Sequence, residues 1–153
     1  MDSELLKGSP YNSELEYSLR AIIVLAELEY PMTLERLVAY DFISVYPSSF
    51  GLKGDNLHGE NVLKFSEFSA RHEMMKKALG ALLSRGFVEF SIFPDGYYYS
   101  VTAKGLSFSE KLKNSYARKL RLNVINTDDF FHGKDDISIA KAINEKAIET
   151  LEN

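Results

Sequence analysis

The spacing of hydrophobic and polar positions changes within residues 69–102 of the chain. In the first half, apolar residues recur at three- and four-residue intervals, as they do on the buried face of a helix. These residues are Met75, Ala78, Leu79, Leu82 and Leu83. Gly86 follows where a left-handed residue would close the helix. The pattern predicts a core-facing helix over residues 71–85, with Leu79, Leu82 and Leu83 buried.

The second half of this stretch alternates with a period of two. Residues 87–93 (FVEFSIF) and 97–101 (YYYSV) are rich in aromatic and β-branched residues, and residues 94–96 (PDG) between them favour a turn. A helix that leads directly into a hairpin is typical of a winged helix. We therefore predict an α+β, mainly α fold: a winged helix-turn-helix domain with a two-stranded wing and additional C-terminal helices.

Two apolar helices are predicted before this unit. The first begins at an N-cap formed by Asn12 or Ser13 and ends near residue 30, and Thr33 caps the second. After the wing, a single helix is predicted from Thr102 to about residue 125. Residues 126–133 (NTDDFFHG) should break it, and a last amphipathic helix should begin at Asp135 or Asp136.

These elements divide the chain into three parts. Residues 1–10 are expected to form a flexible leader, residues 11–126 the winged-helix domain, and residues 127–153 an acidic C-terminal helical extension. Residues 47–68 have no clear period and contain Pro47, Gly51, Gly54 and Gly59, so they are expected to form an irregular insertion. The extension and the insertion are the two parts that a minimal winged helix does not require.

The insertion carries too many apolar residues for a solvated linker. Two interpretations have nearly equal weight: a partner-binding element, or a lid that folds back over the core of its own domain. For the first interpretation, the candidate partner-binding residues come from the insertion and from the wing. They are Phe50, Leu52, Leu57, His58, Tyr97 and Tyr98.

Positive charge is concentrated in the middle of the chain. Residues 71–126 carry 10 Lys and Arg against 4 Asp and Glu, whereas the whole chain has a net charge of −4. The candidate nucleic-acid-contacting residues, the first three on the outer face of the 71–85 helix, are Arg71, Lys76, Lys77, Lys111, Arg118 and Arg121. Because Asp95 occupies the wing tip and the chain is acidic, we expect at most weak, sequence-independent DNA contact.

Several function classes lack their motifs. There is no phosphate-binding glycine loop, no nucleophile elbow and no cysteine, and His58, His72 and His132 are scattered along the chain. We predict a protein that is not an enzyme and requires no cofactor or metal. The longest apolar run, residues 21–26, is far too short to span a membrane, which predicts a cytoplasmic protein without membrane association.

Seven segments between residues 11 and 125 together resemble one family. They are residues 11–21 (YNSELEYSLRA), 37–42 (LVAYDF), 56–58 (NLH), 71–73 (RHE), 79–89 (LGALLSRGFVE), 96–102 (GYYYSVT) and 112–121 (LKNSYARKLR). In this combination and order they resemble the middle component of ABC-three-component systems, which include the Lamassu-type antiphage defence complexes. The chain departs from the family in residues 59–61 (GEN), where the family tends to have proline.

The resemblance implies a non-enzymatic adaptor in a bacterial antiphage defence complex. Its partners would be an SMC/Rad50-like ATPase subunit and a nuclease-like effector subunit. The alternative is a stand-alone winged-helix transcription regulator that binds DNA. Neighbouring genes for a coiled-coil ATPase and a nuclease-like effector would favour the adaptor.

Overall fold

Helices form most of the chain, and one β-hairpin interrupts them. The computed structural model describes residues 13–59, 64–65 and 68–152. The elements, in order, are α1 (Glu14–Leu28), α2 (Leu34–Val45), a 3-10 helix (Pro47–Phe50), α3 (Phe68–Ser84), β1 (Val88–Phe93), β2 (Gly96–Val101), α4 (Ala103–Glu110), α5 (Ser115–Phe131) and α6 (Asp136–Glu152). The α+β, mainly α class is confirmed. The expected flexible leader and residues 60–63 and 66–67 of the insertion lie outside the described residues.

Side-chain caps fix the helix starts that the sequence indicated. The hydroxyl oxygens of Ser13, Thr33 and Thr102 each accept a hydrogen bond from a backbone N–H three residues further on, at 3.1 Å. After α3, Gly86 adopts a φ of +76°, and the next N–H, from Phe87, bonds the Leu82 carbonyl oxygen at 3.0 Å. This left-handed turn ends α3 and directs the chain into β1.

The core lies between α1, α2, α3 and α5. Leu79 and Leu82 of α3 are buried as predicted, but Leu83 is exposed, so its predicted burial is wrong. Leu79 and Leu82 lie on the side of α3 that packs against α1, and Leu83 turns past it towards solvent. Gly105 of α4 lets that helix approach closely, because a Cβ there would overlap the Phe87 carbonyl oxygen.

The hairpin, which we call the wing (residues 88–101), pairs in an uninterrupted antiparallel register from Val88 opposite Val101 to Phe93 opposite Gly96. A third segment extends it on the β2 side. The N–H and C=O of Met32, between α1 and α2, bond those of Tyr99 at 2.9 and 2.8 Å. The wing is thereby attached to the helical core along β2, and β1 is the outer strand.

The single helix predicted from Thr102 to residue 125 is in fact two helices. Asn114 caps α5 by accepting a hydrogen bond from the Ala117 N–H at 2.8 Å, and the Arg121 guanidinium donates to the Leu112 carbonyl oxygen in the break at 2.7 Å. Helix periodicity did not reveal this break because the apolar stripe continues across it.

The helix break predicted at residues 126–133 comes only at the end of that range, because α5 continues to Phe131. Tertiary contacts maintain this last turn. Tyr30 and Tyr40 both donate to the Asp128 carboxylate, at 2.6 and 2.8 Å, and Phe131 is buried. The predicted domain boundary at residue 127 therefore falls inside α5.

The acidic extension forms α6, as predicted, and packs against α2. Asp135 caps α6 by accepting a hydrogen bond from the Ser138 N–H at 2.7 Å. The Asp136 carboxylate accepts a hydrogen bond from the Thr33 hydroxyl and forms an ion pair with Arg36. Ile139 and Ile143 are buried. None of the helices in the described part of the chain combines the length and apolarity needed to cross a membrane.

Candidate functional site

The wing presents an aromatic surface that the rest of the described chain does not cover. Strand alternation and the register place six side chains on one side of the hairpin, which we call the apolar face: Val88, Phe90, Ile92, Tyr97, Tyr99 and Val101. Val88 is buried at the base of the wing, whereas Ile92 and Tyr97 near the tip are 72% and 61% exposed. The apolar face therefore passes from core to solvent along the strands.

The aromatic rings of the wing pack against one another, which holds them in place while the apolar face stays exposed to solvent. The ring of Phe90 stacks on that of Tyr97, with centroids 5.3 Å apart, and meets the ring of Tyr99 edge-on at 5.5 Å. On the opposite side of the hairpin, Phe93 packs edge-on against Tyr98 at 5.1 Å. The Tyr98 hydroxyl donates to the Asp95 carboxylate at 2.7 Å, which fixes the ring beside the turn. Such rigid aromatic side chains lose little entropy when a partner covers them.

Three acidic residues lie on the wing or close to it. Glu89 and Asp95 are exposed on the wing itself. Glu35 of α2 lies near Tyr99, where burial and then this carboxylate raise the pKa of the phenol. A complementary partner would bring apolar side chains to the centre and basic ones to the edge.

The insertion, in its described part, is folded back onto its own domain. Rings of Phe50, Phe65 and Phe68 surround Phe42 of α2, with centroids 4.9–6.0 Å from its ring. The Asn123 amide of α5 donates to the carbonyl oxygens of Ser44 and Asp55, at 2.9 and 3.0 Å. These contacts are those expected of a lid.

The candidate partner-binding residues consequently differ in their surroundings. Phe50 is buried and its ring packs on Phe42, as the lid interpretation predicts, and a partner-binding role for it stays a prediction. Leu52, Leu57 and His58 are half-buried, and the two leucines pack against the core. A partner-binding role for these three stays a prediction. The wing residues Tyr97 and Tyr98 stay candidates, and Tyr97 is the more exposed of the two.

Beneath the insertion lies a buried ion cluster, formed by Arg20 of α1, Asp41 of α2 and Arg71 of α3. Arg20 Nε donates to Asp41 Oδ1 at 2.5 Å, and an Arg71 guanidinium nitrogen donates to Asp41 Oδ2 at 2.6 Å. Burial alone would raise the pKa of the Asp41 carboxyl, but the two guanidinium groups outweigh it and lower that pKa. The cluster fastens three helices together through one carboxylate.

His58 connects the insertion to this region. Its Nε2 lies 2.7 Å from the Tyr116 hydroxyl of α5, and the two rings stack with centroids 6.1 Å apart. Burial, followed by the positive charge of Arg20, lowers the pKa of His58 to about 3. Burial also raises the pKa of Tyr116 to about 12. The pair is therefore neutral near pH 7 and serves as a packed hydrogen-bonded contact.

The predicted nucleic-acid-contacting residues differ in how exposed they are to solvent. Arg71 is only 1% exposed and ion-paired with Asp41, so its predicted position on the outer face of the helix is wrong. Arg121 is half-buried and donates to the carbonyl oxygens of Leu112 and Ser109. The remaining candidates are exposed, and their contact with DNA stays a prediction: Lys76, Lys77, Lys111 and Arg118.

Sequence reasoning did not select some of the residues that matter most here. Arg20 and Asp41 are single charges within apolar runs, residues 19–26 and 37–45, and that isolation was the available signal of a buried pair. Phe90, Ile92 and Phe93 are likewise not among the candidate partner-binding residues that the sequence predicted. Their signal was apolar character on both faces of a two-stranded hairpin, which cannot bury both.

A family model described as ABC-three component (ABC-3C) system Middle Component 2 matches residues 10–153. No curated protein and no solved structure shows a significant match to the chain. The family match continues past residue 125, where the resembling segments end, and takes in the acidic extension. Because it covers nearly the whole sequence, the chain belongs to this family.

Proposed function

We propose that this middle component is a non-enzymatic adaptor that joins an SMC-like ATPase to a nuclease-like effector in a bacterial antiphage defence complex. Membership of a three-component system implies partner components. An adaptor needs a surface that is ordered in the free subunit and available to a partner. The identity of the two partners and the linking role are the substance of the proposal.

The exposed apolar face of the wing is the observation that carries this proposal. Phe90, Ile92 and Tyr97 form a contiguous patch on a hairpin whose outer strand, among the described residues, pairs with β2 alone. Exposed aromatic patches of this kind mark protein interfaces more often than nucleic-acid interfaces. Elsewhere in the described chain, the aromatic residues of the insertion are directed into the core.

Charge favours the adaptor over the DNA-binding regulator. A winged helix that grips DNA places basic side chains where they reach phosphate oxygens. Here the wing carries Glu89 and Asp95, and Arg71 of α3 is committed to the buried ion cluster. Lys76 and Lys77 remain exposed on α3, which is compatible with weak, salt-sensitive DNA contact within the assembled complex.

Co-expression with the ATPase and effector encoded beside the gene tests the proposal. We expect the wild-type subunit to co-purify with both. A double variant of the wing, Ile92→Ser with Tyr97→Ser, should lose one partner and retain the other. Leu122→Ser on α5 removes a comparably exposed apolar side chain outside the wing and should retain both.

Two results would contradict the proposal. The first is a wild-type subunit that co-purifies with neither protein. The second is tight, sequence-selective binding of the isolated subunit to duplex DNA at physiological salt, which would favour the regulator. If the wing variant retained both partners, the adaptor role would still hold, but the wing would not be the surface that binds either partner.

A further inference from the structure

We propose that the outer edge of β1 receives an extended segment of one partner as an additional strand, and that this segment alternates apolar with basic side chains. The inference rests on the proposed adaptor function and specifies how the wing would recognise its partner. Strand addition obtains affinity from main-chain hydrogen bonds and specificity from alternate side chains.

The hydrogen-bond pattern shows which backbone groups face outwards. Tyr99 directs its N–H and C=O to Met32, away from β1, and the Thr102 N–H bonds the Phe87 carbonyl oxygen at 3.1 Å. In an antiparallel pair, hydrogen-bonded and non-hydrogen-bonded positions alternate. Phe90, opposite Tyr99, is therefore non-hydrogen-bonded, and so is Ile92. The N–H and C=O of both residues point to the outer edge.

Apart from the charge of Glu89, the β1 edge lacks the features that usually protect a strand edge. Lysine, proline and β-bulges commonly block the edges of sheets. The sequence of β1, VEFSIF, contains neither lysine nor proline, and its register with β2 is uninterrupted. No other strand in the described residues pairs with it. Since Val88 is buried while Phe90 and Ile92 are exposed, the open part of the edge is the outer half of the wing.

The side chains along β1 define what the added strand should carry. On the apolar face, its residues would lie beside Phe90 and Ile92. On the other face they would lie beside Glu89 and Ser91. Glu89 is exposed, and β1 has no basic residue to balance it. A lysine or arginine on that side of the incoming strand would complement this charge, which gives the alternating apolar and basic pattern.

A second copy of the wing would bring no cation to Glu89 through β1, because that strand contains no basic residue. If two β1 strands paired antiparallel with Phe90 opposite Ile92, Glu89 would face Phe93 of the other copy. A carboxylate would then be partly desolvated against an aromatic ring without a cation. The charge of β1 thus favours a different, basic segment as the occupant.

Two substitutions at one position separate backbone from side-chain recognition. Ile92→Pro removes the outward N–H, and proline is tolerated at edge positions whose N–H is not used in the ladder. Ile92→Ala keeps the N–H but leaves an even smaller side chain. Titrating the purified ATPase and effector separately onto the subunit, we expect Ile92→Pro to weaken one affinity by about tenfold more than Ile92→Ala does. Equal effects, or a larger effect of alanine, would overturn the inference.

Amide hydrogen exchange of the wild-type subunit gives a readout independent of any variant. In the free protein, the Phe90 and Ile92 amides should exchange rapidly and the Glu89, Ser91 and Phe93 amides slowly. In the complex, exchange at Phe90 and Ile92 should slow by about tenfold or more.

A partner that binds without slowing exchange at these two amides overturns the edge inference and leaves the adaptor proposal intact. Absence of binding by either wild-type partner overturns both. Slowing that accompanies dimerisation of the subunit alone assigns the edge to a second copy and also overturns the inference.

Discussion

The insertion and the wing are both rich in aromatic residues, yet they place them in opposite environments. Rings of Phe50, Phe65 and Phe68 close around Phe42, whereas Phe90 and Tyr97 stack on each other at the surface. Each region follows a helix in the chain, and neither has apolar residues at helical spacing. Aromatic content alone therefore does not distinguish a stabilising segment from a docking surface.

Charge separates the two regions as well. Asp41, beneath the insertion, is fully buried and held by two guanidinium groups. Glu89 of the wing is exposed. A buried carboxylate with two partners holds helices together, while an exposed one can select a partner by charge at little cost in stability. On the proposed function, the insertion serves the fold and the wing serves recognition.

The largest expected effect comes from the buried ion cluster. Asp41→Asn leaves Arg20 and Arg71 facing a neutral amide in the core, and breaking such a buried pair costs about 3–5 kcal/mol. Urea denaturation followed by circular dichroism measures it. Glu89→Gln, the same chemical change on the wing, should alter stability by less than about 0.5 kcal/mol. Similar losses for the two variants would contradict the contrast drawn between the regions.

An intermediate effect should appear on acidification through His58. Its pKa in the folded state is about 3, below the usual 6.5. Between these values the unfolded chain binds a proton that the folded one excludes. Stability supplied by neutral His58 is thus complete above pH 6.5 and is lost as pH falls towards 3. Between pH 7 and pH 5, the free energy of unfolding should fall by about 2 kcal/mol through His58.

The matched variant for this pH effect is His58→Gln, which stays uncharged and can still hydrogen-bond Tyr116. Urea midpoints of both proteins at pH 7 and pH 5 make the comparison, and the contributions of His72 and His132 are common to both. We expect the variant to lose less stability than the wild type on acidification. Equal losses of stability in the two proteins would show that His58 is not buried from solvent in the folded chain.

Local signals predicted the boundaries that local chemistry sets. Ser13, Thr33 and Thr102 cap helices as hydroxyl residues do when followed by an apolar period, and Gly86 takes the left-handed turn that only glycine adopts freely. The alternation of residues 87–101 likewise predicted the hairpin.

What the sequence did not predict depends on distant partners. Arg71 appears on a helix beside Lys76 and Lys77 and has the same charge, but its ion pair with Asp41 of another helix holds it in the core. In the same way, α5 extends through residues 126–131 because Tyr30 and Tyr40 hold Asp128. A pattern along one segment carries no information about a carboxylate or hydroxyl that another segment supplies.

The smallest expected effect on stability comes from the wing, and it tests whether the apolar face is free. Ile92→Thr keeps the β-branched shape at a position that is 72% exposed, so the free energy of unfolding should change by less than about 0.5 kcal/mol. The same substitution at Ile43, which is fully buried, should cost about 2–3 kcal/mol because it places a hydroxyl in the core. Urea midpoints of the two variants provide the comparison. If Ile92→Thr were as costly as Ile43→Thr, the apolar face would be covered in the folded subunit, and neither the docking surface nor the open strand edge would be available to a partner.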